Sequence, residues 1–174
     1  MQDDGWKQRG FASLIDEGVL QIGDGYRAKN SELGADGPLF LRAGHVADTH
    51  IDFNGVERFR SGLVGQLTHK MSKVNDVIVT TKGNSTGRVS YVSSDMPPFV
   101  YSPHLSFWRS MRHDLLCPGF LRYWSRGREF REQLERVMNC SPVFPGVFGM
   151  KAARNRPAEV PKRRNPCVFR HYSS

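Results

Sequence analysis

Cysteine is scarce in this chain of 174 residues, with Cys117, Cys140 and Cys167 far apart and odd in number. That spacing excludes a disulfide framework and a zinc site built from paired CxxC ligands, and it suits a reducing compartment. Long apolar runs are missing too, and none reaches the about eighteen residues of a membrane-spanning helix. The start, Met1-Gln2-Asp3-Asp4-Gly5, is acidic where a secretory signal is basic and then apolar. The expectation is a cytoplasmic protein with no membrane partner. Acid is sparse, with 17 Asp and Glu against 25 Lys and Arg, a formal net charge of +8. Hydrophobic residues at 39% and charged residues at 24% still leave enough apolar surface for a folded core. The length allows one domain of ordinary size, not two catalytic ones.

The excess positive charge is concentrated at one end. From Met150 onward Lys151, Arg154, Arg156, Lys162, Arg163, Arg164 and Arg170 face a single acid, Glu159, so most of the +8 belongs to this segment. A nucleic-acid reading of the rest must rest on particular loops rather than on bulk charge. Pro142, Pro145, Pro157, Pro161 and Pro166 interrupt any helical or strand pattern there. Residues 141–174 therefore read as a basic, Pro/Arg-rich disordered tail, and residues 5–140 as one domain.

Within that domain the pattern predicts α/β (α+β) organisation: short twisted strands followed by a C-terminal helix. Trp6 to Ile22 reads as a short helix or turn leading into a strand, and Gly23-Asp24-Gly25 as a turn. Residues 26–38 read as a long polar loop and Pro38–Ala43 as the opening of a strand. His50–Phe53 alternates before Asn54-Gly55, a strong hairpin dipeptide. Asp76–Thr81 is dense in β-branched residues and predicts a buried strand, paired through the turn 82–87 with Arg88–Val92. Phe99–Ser102 and Leu105–Arg109 predict further strands split by Pro103. Pro118 marks a helix start, with an apolar stripe from Phe120 to Met138 that tolerates Gly127 in its middle.

No catalytic constellation emerges. Lys82-Gly83-Asn84-Ser85-Thr86-Gly87-Arg88 has three residues between its glycines and then Arg-Val, whereas a P-loop needs four and then Lys-Ser/Thr. It is either a plain hairpin turn or a turn that offers Lys82, Asn84 and Arg88 to phosphates and base edges. Asp95-Met96-Pro97-Pro98-Phe99 approaches the Asp-Pro-Pro-Tyr/Phe loop of amino-methyltransferases, but Met96 stands where the polar side chain must precede the prolines, so a rigid proline turn is the better reading. His45, Asp48, His50 and Asp52 cluster without a metal-ligand spacing, and His104 and His113 have no accompanying nucleophile. Gly25-Tyr26-Arg27-Ala28-Lys29-Asn30 is either a solvated loop or a DNA contact in which Arg27 and Lys29 neutralise phosphates and Asn30 reads a base edge.

The succession Gly25-Tyr26-Arg27-Ala28-Lys29, Pro38-Leu39-Phe40-Leu41-Arg42, Asp76-Val77-Ile78-Val79-Thr80-Thr81-Lys82-Gly83, Tyr101-Ser102-Pro103-His104-Leu105-Ser106-Phe107-Trp108-Arg109 and Gly119-Phe120-Leu121-Arg122-Tyr123-Trp124 resembles a target recognition domain of the DNA specificity subunit of type I restriction-modification systems. The resemblance implies a non-enzymatic domain that reads one half of a bipartite target in double-stranded DNA. It implies partner subunits: a methyltransferase that binds S-adenosylmethionine, so that this chain needs no cofactor, and a restriction motor that cleaves DNA. The usual Pro-Tyr-Ile-Ser-Leu strand and long spacer helix are absent after Met138, which suggests a single, truncated or frame-shifted form. The DNA-contact expectation falls on Arg27, Lys29, Asn30, Lys82, Asn84 and Arg88, from residue type and loop placement, with no catalytic or metal-ligating residue. The rival expectations are a non-functional remnant and a standalone small enzyme or ligand-binding domain using His104 or the His45, Asp48 and His50 group.

Overall fold

The computed structural model describes residues 6–140 and 149–153, with side chains over 9–136. In chain order the strands and helices are β1 (Trp6–Gly10), α1 (Phe11–Asp16), β2 (Leu20–Asp24), β3 (Leu33–Leu41), β4 (Arg58–Phe59), α2 (Val64–Leu67), β5 (Val77–Thr80), β6 (Val89–Tyr91), β7 (Phe99–Tyr101), β8 (Leu105–Ser110), α3 (Pro118–Trp124), α4 (Arg128–Cys140) and β9 (Gly149–Ala153). Four strands form one sheet in the order β2-β8-β5-β6, all antiparallel, and three form a second in the order β4-β3-β7. In the second sheet β3 runs parallel to β7 and antiparallel to β4.

Alternation along the strands explains the layering. Side chains on successive strand residues point to opposite faces, so Val77 and Val79 go to one side of the larger sheet and Ile78 to the other. The first side packs on the helices, where Trp108 and Val89 meet Phe11, Leu14, Leu121, Trp124 and Phe130. The opposite side, carrying Ile78, Leu105 and Phe107, packs on Leu39, Leu41, Phe99 and Tyr101 of the smaller sheet. Phe40 and Val100 face the far side of that smaller sheet, against Phe59 and Leu67. Covered on both faces, β5 and β8 are buried along their whole length, which is why Val77–Thr80 reads as an unbroken β-branched run instead of an alternation.

A buried ion pair ties the layers together. Asp76 is fully buried just before β5, and its two carboxylate oxygens accept from Arg109 Nε and Nη2, each at 2.6 Å. The Tyr101 hydroxyl donates to Asp76 Oδ2 at 2.7 Å and the Lys73 amide donates to it at 2.9 Å. Arg109 also donates to the Met71 carbonyl at 3.2 Å and lies over the Phe107 ring. Burial first, and the Asp76 carboxylate second, push the Tyr101 hydroxyl well up from its ordinary range, so it stays a donor.

The structure departs from the sequence reading at four places. The loop expected over 26–38 already becomes β3 at Leu33, because Leu33 and Gly34 pair with Phe59 and Arg58 before a register shift near Gly34 and Leu39. Asn54-Gly55 does turn the chain, with Gly55 at φ +68° and the Val56 amide donating to the Phe53 carbonyl at 3.4 Å, but among the described residues no strand pair spans it, and the bridge Val46–Ile51 closes residues 47–50 instead. The long helix expected from Pro118 is divided into α3 and α4, because Arg126 and Gly127 donate back to the Tyr123 and Trp124 carbonyls in a tight turn. Within the segment expected to be disordered, Gly149–Ala153 is a strand paired antiparallel to β1, Gly10 opposite Gly149 and Trp6 opposite Ala153. The rest of the 141–174 segment lies outside the described residues.

Candidate nucleic-acid interface

The antiparallel registers bring three connections to one end of the larger sheet. Asp24 at the end of β2 lies opposite Ser106, and Thr80 at the end of β5 lies opposite Leu105. The loop after β2, the turn between β5 and β6, and the turn leading into β8 therefore all leave from the same edge. Thr81 reinforces this by donating to the His104 carbonyl from both its amide, at 2.9 Å, and its hydroxyl, at 3.2 Å. All six expected contact residues belong to the first two of these connections, and all six are exposed.

The loop after β2 is held by its backbone and presents its side chains. Gly25 and Tyr26 donate to the Leu105 and Tyr101 carbonyls at 3.2 and 2.7 Å. A Cβ on Gly25 would lie 2.0 Å from the Ser102 carbonyl oxygen, so only glycine allows the chain to pass this close to β7. The Tyr26 ring packs edge-on against Phe59, and its hydroxyl donates to Glu32 Oε1 at 2.8 Å. The other oxygen of Glu32 accepts from the Lys29 amide at 2.7 Å. The Lys29 amide, then the Tyr26 hydroxyl, hold the Glu32 carboxyl below its usual range. Between these fixed points Arg27, Lys29 and Asn30 face solvent.

The turn between β5 and β6 is braced by its own polar groups. Thr80 Oγ1 donates to the Ser85 carbonyl and accepts from the Arg88 amide, and Thr86 Oγ1 donates to the Gly83 carbonyl at 2.6 Å. Gly83 and Gly87 have φ of +84° and +90°, backbone conformations that L side chains rarely adopt. Lys82 and Asn84 are left outside this brace. Lys82 adds to the effect of Lys70, whose hydrogen bond to Asp24 is the main reason that the Asp24 carboxyl lies below its usual range. This places the turn beside the start of the first loop. Among the described residues no ion pair involves Arg27, Lys29 or Lys82.

Arg88 goes elsewhere. Its Nη1 donates to the Val46 carbonyl at 3.4 Å, and it lines a cleft of about 640 Å³ between the turn, Asp48–Thr49 and the start of α4. Arg126 and Arg131 line the same cleft. Arg122 lies over the Tyr91 ring, 3.2 Å from its centroid, with Arg126 at 5.5 Å. Reading the sequence for basic loops missed these arginines, although Arg122, Arg126, Arg128 and Arg131 within ten residues were the signal.

The remaining candidates are absorbed into turns. His45 Nδ1 accepts from the Arg42 amide at 3.2 Å, His50 Nδ1 lies 3.2 Å from Thr49 Oγ1, and Asp52 Oδ1 accepts from the Asn54 amide at 2.9 Å. Among the described residues no three His, Cys, Asp or Glu side chains gather as a metal site requires. At the Asp95–Phe99 stretch the turn spans Ser93–Met96, closed by the Met96 amide on the Ser93 carbonyl at 3.3 Å, and Pro97-Pro98 then leads directly into β7. Among the described residues no helix is long and apolar enough to cross a membrane.

No family model matches the chain, and no curated protein matches its sequence. Solved structures do match. The chain is similar to the HsdS subunit from Thermoanaerobacter tengcongensis, with a TM-score of 0.61 and 14% identity over 88% of this chain and 34% of that one. It is equally similar to a chain from a structure on complex assembly and conformational transition of the type I R-M system, with a TM-score of 0.61 and 15% identity over 88% of this chain and 35% of that one. The chain thus spans about a third of the length of these proteins. At such low identity it is the path of the backbone that agrees: this chain has the mixed α+β fold found in about one third of an HsdS specificity subunit of a type I restriction-modification system.

Proposed function

We propose that this chain reads double-stranded DNA in a sequence-specific way, as the recognition part of a type I restriction-modification specificity subunit. The observation that carries the reading is the convergence of two rigid, cation-bearing loops at one end of the larger sheet, on a fold shared with HsdS subunits. Arg27, Lys29, Lys82 and Arg88 supply charge for phosphates, and Asn30 and Asn84 supply the paired donor and acceptor that suit an adenine edge. In this proposal the chain is not an enzyme and binds no cofactor. Methyl transfer from S-adenosylmethionine and DNA cleavage belong to a methyltransferase subunit and a motor subunit that act on the half-site it selects. A cytoplasm is the compartment such a partnership requires.

Two measurements on the full chain test the reading. Selection from a pool of random duplexes should enrich one short motif, and Asn30→Ala or Asn84→Ala should relax it at defined positions. Arg27→Ala with Lys29→Ala should reduce the slope of log affinity against log salt by about two, since each phosphate contact contributes about 0.9. A pool that returns no motif overturns the proposal.

A further inference from the structure

The cleft behind the β5–β6 turn has a chemistry that the two loops do not. Val89, Phe130 and Leu134 give it an apolar lining, while Arg88 from the β5–β6 turn, Arg126 from the turn between α3 and α4, and Arg131 from α4 line it as well. Its carboxylates, Asp48 and Glu135, are exposed, and among the described residues neither forms an ion pair with these arginines. Arg126 donates through Nη2 to the backbone carbonyl of Asp48 at 3.2 Å, and Arg88 likewise donates to a backbone carbonyl. Arg126 Nε is itself buried with no acceptor. A buried guanidinium donor without a partner is a cost to the fold, one that a turn of the Arg126 head towards an acceptor in the cleft would relieve.

We propose that this cleft is a second anchoring site, one that takes a phosphodiester of the DNA backbone. The proposal rests on the DNA-reading function above and extends it from the loops to the face of α4. Continuity supports it: Arg88 closes the turn that presents Lys82 and Asn84, so a strand lying on those residues reaches the cleft within the same connection. Guanidiniums match a phosphate with two parallel donors, and a cation set lacking carboxylate partners is free to do so. A Cβ added at the neighbouring Gly87 would lie 2.6 Å from Leu134 Cδ2, so the turn lies directly against α4.

The test uses fluorescence anisotropy of labelled duplexes with the full chain, so that the basic segment beyond Met150 is the same throughout. Arg126→Ala with Arg131→Ala should weaken binding to all duplex sequences alike and lower the salt slope by about two, leaving the selected motif unchanged. Arg131→Ala alone, at an exposed position, should lower the slope by about one and serves if the double variant fails to fold. A variant with the wild-type slope overturns the cleft proposal, while the loss of slope on Arg27→Ala with Lys29→Ala keeps the loop reading intact. Titration with inorganic pyrophosphate separates the sources of phosphate. If the wild type binds no duplex but binds pyrophosphate through Arg126 and Arg131, the DNA source is overturned in favour of a free phosphorylated ligand. If it binds neither, the cleft proposal is overturned outright.

Discussion

Arg109 is buried and Arg126 half-buried, and they meet their surroundings in opposite ways. Arg109 spans from β8 to a fully buried carboxylate and finds an acceptor for each edge of its guanidinium, in Asp76, Met71 and Gln21. Arg126 sits in the turn between two helices, satisfied at Nη2 by one carbonyl and left with an unpartnered Nε. The first arrangement leaves nothing for a ligand to improve, and its role is to join the sheets. The second, like the exposed cations of the two loops, keeps donors unspent. The lesson is that cation count alone does not separate a structural arginine from a candidate contact in this fold; the acceptors each guanidinium already holds do.

The largest effect should come from breaking the satisfied site. Asp76→Ala leaves the Arg109 charge buried and unpaired, and should lower unfolding stability by about 3–5 kcal/mol in urea denaturation. Asp76→Ala with Arg109→Leu should recover much of that loss, because the buried charge goes with its partner. A small loss from Asp76→Ala alone would show that water reaches Arg109 and erase the contrast with Arg126.

A smaller effect is expected where the loop after β2 is pinned. Gly25→Ala brings a methyl against the Ser102 and Tyr101 carbonyls, neither of which belongs to a flexible side-chain end. The cost should be about 1–3 kcal/mol, as for other overpacked sites, with chemical-shift changes concentrated in residues 25–30. Wild-type stability would mean that the loop is not held as tightly as its carbonyl partners imply.

The smallest effect should be one of pH. Glu32 has its folded pKa lowered by the Lys29 amide and the Tyr26 hydroxyl. Its contribution is therefore fully present above the unfolded value of about 4.3 and is lost as pH falls through the lower folded value. Protection of the Lys29 amide, taken relative to its intrinsic exchange rate at each pH, should fall as acid is added over that window, and Glu32→Gln should remove the dependence. Unchanged protection in Glu32→Gln would assign the loop's order to Gly25 and Tyr26 alone.

Particular residues show what the sequence made legible. Val77–Thr80 and Val89–Tyr91 were readable as a strand pair because β-branched density and a glycine-rich turn coincide, and Pro118 marked the start of α3 because a helix tolerates proline there. β3 was obscured because Gly34, Asp36 and Gly37 carry no strand signal; the pairing of Gly34 with Arg58 and the Asp36–Ser61 hydrogen bonds are tertiary facts. The break at Ser125–Gly127 was hidden by an apolar stripe that continues across it. Arg27, Lys29, Asn30, Lys82 and Asn84 could be picked as exposed loop residues from their neighbours, whereas the cleft depends on α4 folding back against the β5–β6 turn, and no local pattern reports that.

The place of β8 in the larger sheet has a consequence for the birth of the protein. β8 is the strand between β2 and β5, and its residues 105–110 pair with partners as distant as Leu20. A ribosome that has made the first hundred residues has already joined every loop cation proposed to contact DNA, yet the sheet that orients them has no centre. Pairings of such separation form slowly and leave unpaired strand edges exposed meanwhile. Synthesis halted before Leu105 would therefore yield a chain with its exposed loop cations in place by sequence and nowhere in space.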